Sequence, residues 1–295
     1  MWCEQRMKKN IRANDHGKQG GKMVSVPAAE MLKKSILVVA HPDDEVLWFS
    51  SIVEQVDQVL VCFLSSRTHP QWMDGRKKSL AAHPVKGISS LGLEQAGVFD
   101  GADWGNPQPC EYGMRMIREG EAQKKYLENH RCLLKQLSTR LQGYQNVITH
   151  NPWGEYGHEE HVQIYQTIKS LAASLSFDLW FSNYCSNRSY PLMLNYLRGF
   201  NSDYLSLPTN ERLGEKAKTV YQENHCWTWY DDYIWFQQEC FMKDWDVPED
   251  STTSPVYGHR FPLNFVRIDI GNEGRKSKKK RRKTSFWRRF LKKWE

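Results

Sequence analysis

The chain has 295 residues, enough for one sizeable domain, and neither its length nor its composition forces two. Its net charge of +7 is set at one end: Arg275–Lys293 carries 12 basic residues and Glu295 is the only acid beyond Gly274, so the remainder is mildly acidic and the basic balance describes no site elsewhere. The first 34 residues hold charges throughout with no apolar signal core, and no run of about 18 apolar residues occurs, so neither a secretory leader nor a membrane-spanning helix is expected.

The seven cysteines are odd in number, form no Cys-x-x-Cys pair and sit partly in apolar runs, which predicts reduced thiols and a cytoplasmic setting. Residues 1–34, with their Gly- and Lys-rich stretch, are expected to be a poorly ordered lead-in. The catalytic domain is expected over 35–270 and a basic tail over 271–295. Ser35–Ala40 is a short apolar, β-branched run of the kind buried on both faces of a sheet. Val46–Val56 has helical apolar spacing and Gln58–Leu64 reads as a second buried strand, giving a βαβ unit and hence a parallel sheet.

Ala96–Phe99, Asn146–Thr149 and Phe177–Phe181 are further strand candidates. Leu127, Leu133, Leu134, Leu137 and Leu141 recur at helical spacing, with Gly143 as a stop. Residues 100–120 form a long Gly-, Pro- and Trp-containing connection. The fold class is therefore α/β, a mostly parallel, Rossmann-like sheet flanked by helices.

Ligands of doubly wound sheets bind beyond the carboxyl ends of the strands, and His41-Pro-Asp-Asp-Glu45 stands at the end of the first one. A second cluster, His150-Asn-Pro-Trp-Gly-Glu-Tyr-Gly-His-Glu-Glu-His161, opens at the end of the Asn146 strand. His158 and His161, three residues apart at the start of a helix, share a face. A capping role for the Asp pair is the plainer alternative. Taken together, His41, Asp44 and His161 offer two imidazole nitrogens and one carboxylate to a divalent metal with positions left open, and Asp43 is free to act as general base. His150 is either a buried support for the metal ligands or a core histidine.

Ala40-His-Pro-Asp-Asp-Glu45 and Gly154-Glu-Tyr-Gly-His-Glu-Glu-His161 resemble the two hallmark motifs of the LmbE-like, or PIG-L, deacetylases, and the resemblance extends over about residues 35–270. It implies hydrolysis of the N-acetyl group of an N-acetylated amino sugar or glycoconjugate. Zn2+ would be held by His41, Asp44 and His161, with Fe2+ or Co2+ also accommodated by such an open site. Asp43 would be the base, with His158, expected in its protonated form, and Tyr156 stabilising the transition state. Many members carry Arg-x-x-Glu in the helix before a Leu-Gly pair. Counting back from Leu91-Gly92 places Leu80 and His83 there, so Arg67 and Arg76 become the candidates to substitute.

The same donor set also describes non-haem iron oxygenases, though their His-x-Asp element and jelly-roll fold differ from His41-x-x-Asp44 after a buried strand. Trp227, Trp229, Tyr230, Tyr233, Trp235 and Phe236 form an aromatic block, mostly for packing, with a sugar-stacking role for one or two. At the end of the chain, Phe286, Trp287, Phe290, Leu291 and Trp294 fall on one helical face and Arg288, Arg289, Lys292 and Lys293 on the other. That pattern suits an anionic membrane surface and peripheral placement on its inner face, with nucleic acid or another polyanion the less favoured partner.

Overall fold

A computed structural model describes residues 28–200, 203–245 and 261–268. In chain order the elements are α1 (Ala28–Met31), β1 (Ser35–Val39), α2 (Asp44–Leu47), β2 (Gln58–Ser66), α3 (Trp72–Ala81), β3 (Ile88–Gln95), a small hairpin of β4 (Pro109–Cys110) and β5 (Gly113–Met114), α4 (Glu121–Arg140) and β6 (Asn146–Thr149). There follow α5 (Glu159–Leu175), β7 (Asp178–Ser182), β8 (Tyr184–Ser186), α6 (Tyr190–Met193) running into a 3₁₀ turn, β9 (Tyr204–Pro208), α7 (Glu211–Glu223), β10 (Gln238–Lys243) and β11 (Asn264–Val266).

Successive side chains of a strand point to opposite faces, so an apolar run with no polar face must be covered twice. β1 shows this directly. Ile36 and Val38 pack with Leu133 and Leu137 of α4 and with Val162 and Ile168 of α5. Leu37 and Val39 face the other layer, with Val46, Phe49, Tyr221 of α7 and Phe241. Leu133 and Leu137 are fully buried, and truncation of either to Ala is expected to cost about 2–5 kcal/mol.

The seven-stranded sheet runs β3-β2-β1-β6-β7-β10-β9. β1, β2, β3, β6 and β7 pair in parallel, while β10 lies antiparallel to both β7 and β9. The chain moves outward from β1 through β2 to β3, then returns to the opposite side of β1 as β6 and continues to β7. The order reverses between β1 and β6, and a cleft forms at the carboxyl ends of such a pair. Both sequence clusters leave the sheet there.

Three local expectations change. The helix read over Val46–Val56 shrinks to Asp44–Leu47, followed by turns. Residues 46–53 are buried on every side, so their apolar spacing reports burial and not a helical face. The strand expected at Ala96–Phe99 lies earlier, at Ile88–Gln95, an edge strand whose half-buried serines weaken its apolar signal. Leu91 and Gly92 fall inside that strand, and of the two positions counted back from them Leu80 lies in α3 and His83 just beyond its end. The folded region also includes α1, ahead of Ser35: Met31 is wholly buried, and Asn146 Nδ2 donates to the Glu30 and Lys33 carbonyls, each at 2.9 Å. The proposed tail, 271–295, and the lead-in before Ala28 lie outside the described residues. Among those described, no helix is long and apolar enough to cross a membrane.

Candidate metal centre

The first half of the site is the turn from β1 into α2. Asp43 sits at the helix N-cap position with φ 100, but its side chain makes no capping bond. Its backbone N–H instead donates to Glu45 Oε2 at 2.9 Å, and Glu45 Oε1 in turn accepts from the Tyr221 hydroxyl at 2.7 Å. His83 Nε2 approaches the same oxygen at 3.2 Å without hydrogen-bond geometry. Left-handed backbone at a non-glycine residue costs roughly 1–3 kcal/mol and is found where surrounding contacts hold it. Here the consequence is that the side chains of Asp43 and Asp44 separate, and Asp44 turns into the cleft. Asp44 Oδ2 accepts the His41 backbone N–H at 2.7 Å and its Oδ1 accepts the Trp48 indole N–H at 2.9 Å.

The second half is the loop from β6 into α5. Asn151 and Glu155 clasp each other: Asn151 N–H donates to Glu155 Oε1 at 2.8 Å, and Glu155 N–H returns to Asn151 Oδ1 at 2.9 Å. The loop tightens through Gly154 (φ +67), where a Cβ would meet the His158 carbonyl oxygen at 2.7 Å, and Gly157 (φ +89), where it would meet Arg188 Cγ at 2.7 Å. Only glycine fits both the backbone and the space at these points. α5 then starts with His158 as its N-cap, whose Nδ1 accepts the Glu160 backbone N–H at 3.1 Å.

These two segments bring His41, Asp43, Asp44, Tyr156, His158 and His161 together at the switch point. The Tyr156 ring lies 5.7 Å from His158 and 5.2 Å from His161 between ring centres. Three overlapping sets of side chains have the proximity to hold a metal ion: His41 with Asp44 and His161, His41 with His158 and Glu160, and His150 with Glu155 and His161. Hydrogen bonding separates them. His150 accepts the Ala40 N–H on Nε2 at 2.8 Å and therefore carries its proton on Nδ1, which donates to Glu155 Oε2 at 2.9 Å. It has no lone pair left for a metal. Burial pushes it down to about 4, so it stays neutral in that role. Glu160 is also occupied, accepting Ala96 N–H at 2.7 Å and facing His41 Nε2 at 2.9 Å.

The remaining set is His41, Asp44 and His161. His161 Nδ1 lies 2.7 Å from Glu155 Oε2, so Nδ1–H donates and Nε2 is the lone-pair nitrogen. That Nε2 is buried with no hydrogen-bond partner, 3.2 Å from Asp44 Oδ2. His41 is arranged the same way, with Nε2 toward Glu160 and Nδ1 at 3.2 Å from the same Asp44 oxygen. Each imidazole is thus tied by one nitrogen to a carboxylate that orients it and aims the other at a common acceptor, the support pattern of metal-ligating histidines. A buried, unpartnered nitrogen opposite a carboxylate oxygen is costly unless a cation joins them. The residues fit a divalent ion.

Electrostatics agree with the geometry. Burial alone would raise Asp44, but His161, His41 and His150 outweigh it and hold the carboxyl well below the usual range. Burial would lower His41, yet its bonds to Asp44 and Glu160 raise it to about 9. A metal ion would displace the Nδ1 proton. Asp43 is pushed up to about 7 by burial and then by Asp44, against the opposing hydrogen bond from Thr228 and the charge of Arg76. A carboxylate poised near neutrality suits proton transfer. Burial, with His41 and His161 adding to it, holds His158 well below its ordinary value, a direction that favours the neutral imidazole over the expected protonated form. Because Nδ1 accepts from Glu160, the His158 proton resides on Nε2.

Of the two substitute arginines, Arg67 is exposed. Arg76 is buried and donates to Gln95 Oε1 at 2.8 Å, Gln95 Nε2 lies 3.4 Å from Glu160 Oε2, and the Arg76 charge acts on Asp43, linking it to the cluster. Four further residues enter the site without having been assigned a definite role by sequence. Glu155 and Glu160 lie inside the second motif, where carboxylates flanking two histidines are a readable sign of imidazole support. Thr228, which touches Asp43, and Arg188, which pairs with Asp100 and approaches Glu159 Oε1 at 3.2 Å, carry no local signal. From the aromatic block, Trp229 packs against Tyr156 at 4.8 Å and Trp48 at 5.1 Å.

No protein-family profile matches the chain. No curated protein matches it either. Solved structures with a similar course include a deacetylase of the teicoplanin biosynthesis pathway in complex with teicoplanin, at 10% identity and TM-score 0.42 over 71% of this chain and 98% of that one. The N,N'-diacetylchitobiose deacetylase of Pyrococcus horikoshii is similar at 18% identity and TM-score 0.35, over 68% and 72% of the two chains. A further structure of a teicoplanin-pathway deacetylase, with the ligand named bog, has 12% identity and TM-score 0.39 over 65% and 84%.

Proposed function

We propose that the chain is a Zn2+-dependent hydrolase that removes the acetyl group from an N-acetylated amino sugar or glycoconjugate. The observation that carries the metal is the buried, unpartnered His161 Nε2 facing Asp44 Oδ2, with His41 directed at the same oxygen. The substrate class rests on the two motifs, Ala40–Glu45 and Gly154–His161.

A divalent ion held by His41, Asp44 and His161 supplies Lewis acidity toward the amide carbonyl and acidifies water. The protein groups do the rest. Asp43 accepts a proton from the attacking water and passes it to the amide nitrogen as the C–N bond breaks, so that the water's oxygen and remaining proton leave in acetic acid, which ionises to acetate by giving that proton to the released amine. His158 Nε2–H donates to the oxyanion of the tetrahedral transition state, and a donor matched to charge that appears only there raises turnover. Tyr156 lies beside it as the second donor. Glu155 and Glu160 hold the two ligand imidazoles in the tautomer the metal needs.

An iron oxygenase would use the same donor set, but it has no need of a carboxylate tuned like Asp43 beside the ligands. The membrane-directed reading of 271–295 rests on the sequence and would place the enzyme beside a lipid-linked glycan. The functional test is acetate release from N-acetylhexosamines presented free, nucleotide-linked and lipid-linked, run with oxygen uptake in parallel. Acetate without oxygen consumption is expected. Oxygen consumption without acetate would transfer the site to the oxygenase class.

A further inference from the structure

The base assigned above is held from a distant part of the chain. Asp43 Oδ2 accepts two bonds from one residue, the Thr228 backbone N–H at 3.2 Å and the Thr228 hydroxyl at 2.6 Å. No group among the described residues hydrogen-bonds Oδ1. With both donors on one oxygen, the carboxylate is fixed about its terminal torsion, which is otherwise broad.

Thr228 itself is exposed, so its own burial does not hold it in place. Its neighbours do. After α7 the chain reverses at His225 (φ 56), and the Cys226 N–H returns to the Tyr221 carbonyl at 3.0 Å. Cys226 is buried, with Sγ 3.2 Å from the Ser79 hydroxyl on α3. On the other side, Trp229 is wedged between Trp48 and Tyr156. Thr228 therefore stands between anchored residues, one seated on α3 and α7 and the other on the two site segments.

We propose that Thr228 is the positioning residue for Asp43: its N–H and hydroxyl clamp one carboxylate oxygen so that the other faces the attacking water and the scissile amide. The inference rests on the reading of Asp43 as proton carrier. A clamp of this kind acts on alignment at the moment of transfer, so its loss appears in kcat and not in metal or substrate binding. Loss of alignment at a reacting group costs on the order of 10²-fold, and the backbone N–H remains as a partial clamp, so about 10- to 100-fold is expected.

The experiment measures kcat and KM for acetate release by the metal-loaded full chain and by Thr228→Val, Thr228→Ser, Asp43→Asn and the Asp43→Asn/Thr228→Val pair, with metal content determined for each. Thr228→Val, nearly isosteric but without the hydroxyl, is expected to lose about 10- to 100-fold in kcat with KM and metal content held. Thr228→Ser restores the donor and should recover most of that rate. In the Asp43→Asn background the valine substitution should add little, because the group it aligns is already inactive. Thr228→Val with wild-type kcat beside an inactive Asp43→Asn would overturn the clamp while leaving the base in place. An active Asp43→Asn would overturn both.

Discussion

The two walls of the cleft are built on opposite physical terms. On one, the His41–Glu45 turn and the His150–His161 loop bury imidazoles and carboxylates against one another, each held by hydrogen bonds to the next. On the other, the segment after α7 presents aromatic rings, Trp229 above all, and reaches the acid cluster through Thr228. A polar wall of this kind is unforgiving, because removing one member strands the others in a low dielectric. An apolar wall degrades gradually with lost contact area. The difference predicts where function is concentrated, and substitutions along the polar wall sharpen it.

The largest effect is expected for His161→Ala. It would remove a proposed ligand and also strip Glu155 and Asp44 of a shared partner, so metal content and acetate release should both vanish. The stranded carboxylates should further lower stability by about 1–3 kcal/mol, read from denaturant unfolding. A variant that still binds one ion per chain with wild-type affinity would move the metal to another set. Asp43→Asn should come next, retaining fold and metal but losing about 10²–10⁴-fold in kcat, as is typical for a general base. A loss under about tenfold would be too small for that role. Glu155→Gln should have the smallest effect of the three. It leaves all ligands in place but weakens their support, so metal affinity measured by chelator competition should fall by about 10–100-fold. Unchanged affinity would reduce Glu155 to a loop clasp for Asn151.

The same contrast explains what the sequence could and could not disclose. His41, Asp43, Asp44, Tyr156, His158 and His161 lie in two short motifs at the ends of buried strands, so local reading reaches them. Their arrangement also depends on the reversal of strand order between β1 and β6, which the βαβ pattern only hints at. The choice of His41 with Asp44 and His161 over the two competing sets becomes chemical only when each nitrogen's partner is seen. The lowering of the His158 imidazole likewise depends on burial beside His41 and His161. Thr228 was out of reach because its contact with Asp43 spans 185 residues and a threonine among aromatic residues has no distinctive pattern. β3 was displaced for a different reason: Ile88-Ser-Ser-Leu-Gly-Leu-Glu-Gln95 is a half-buried edge, and after it Ala96 donates its N–H to Glu160 and Phe99 packs beside His158 instead of extending the sheet.

The central claim is that His41, Asp44 and His161 hold one divalent ion on which deacetylation depends. The most direct measurement is metal content per chain followed against acetate release as the purified protein is stripped with chelator and then titrated with Zn2+. Activity is expected to fall to zero with the last ion and to return in proportion until one equivalent per chain is bound. Full acetate release from protein verified to be metal-free would contradict it.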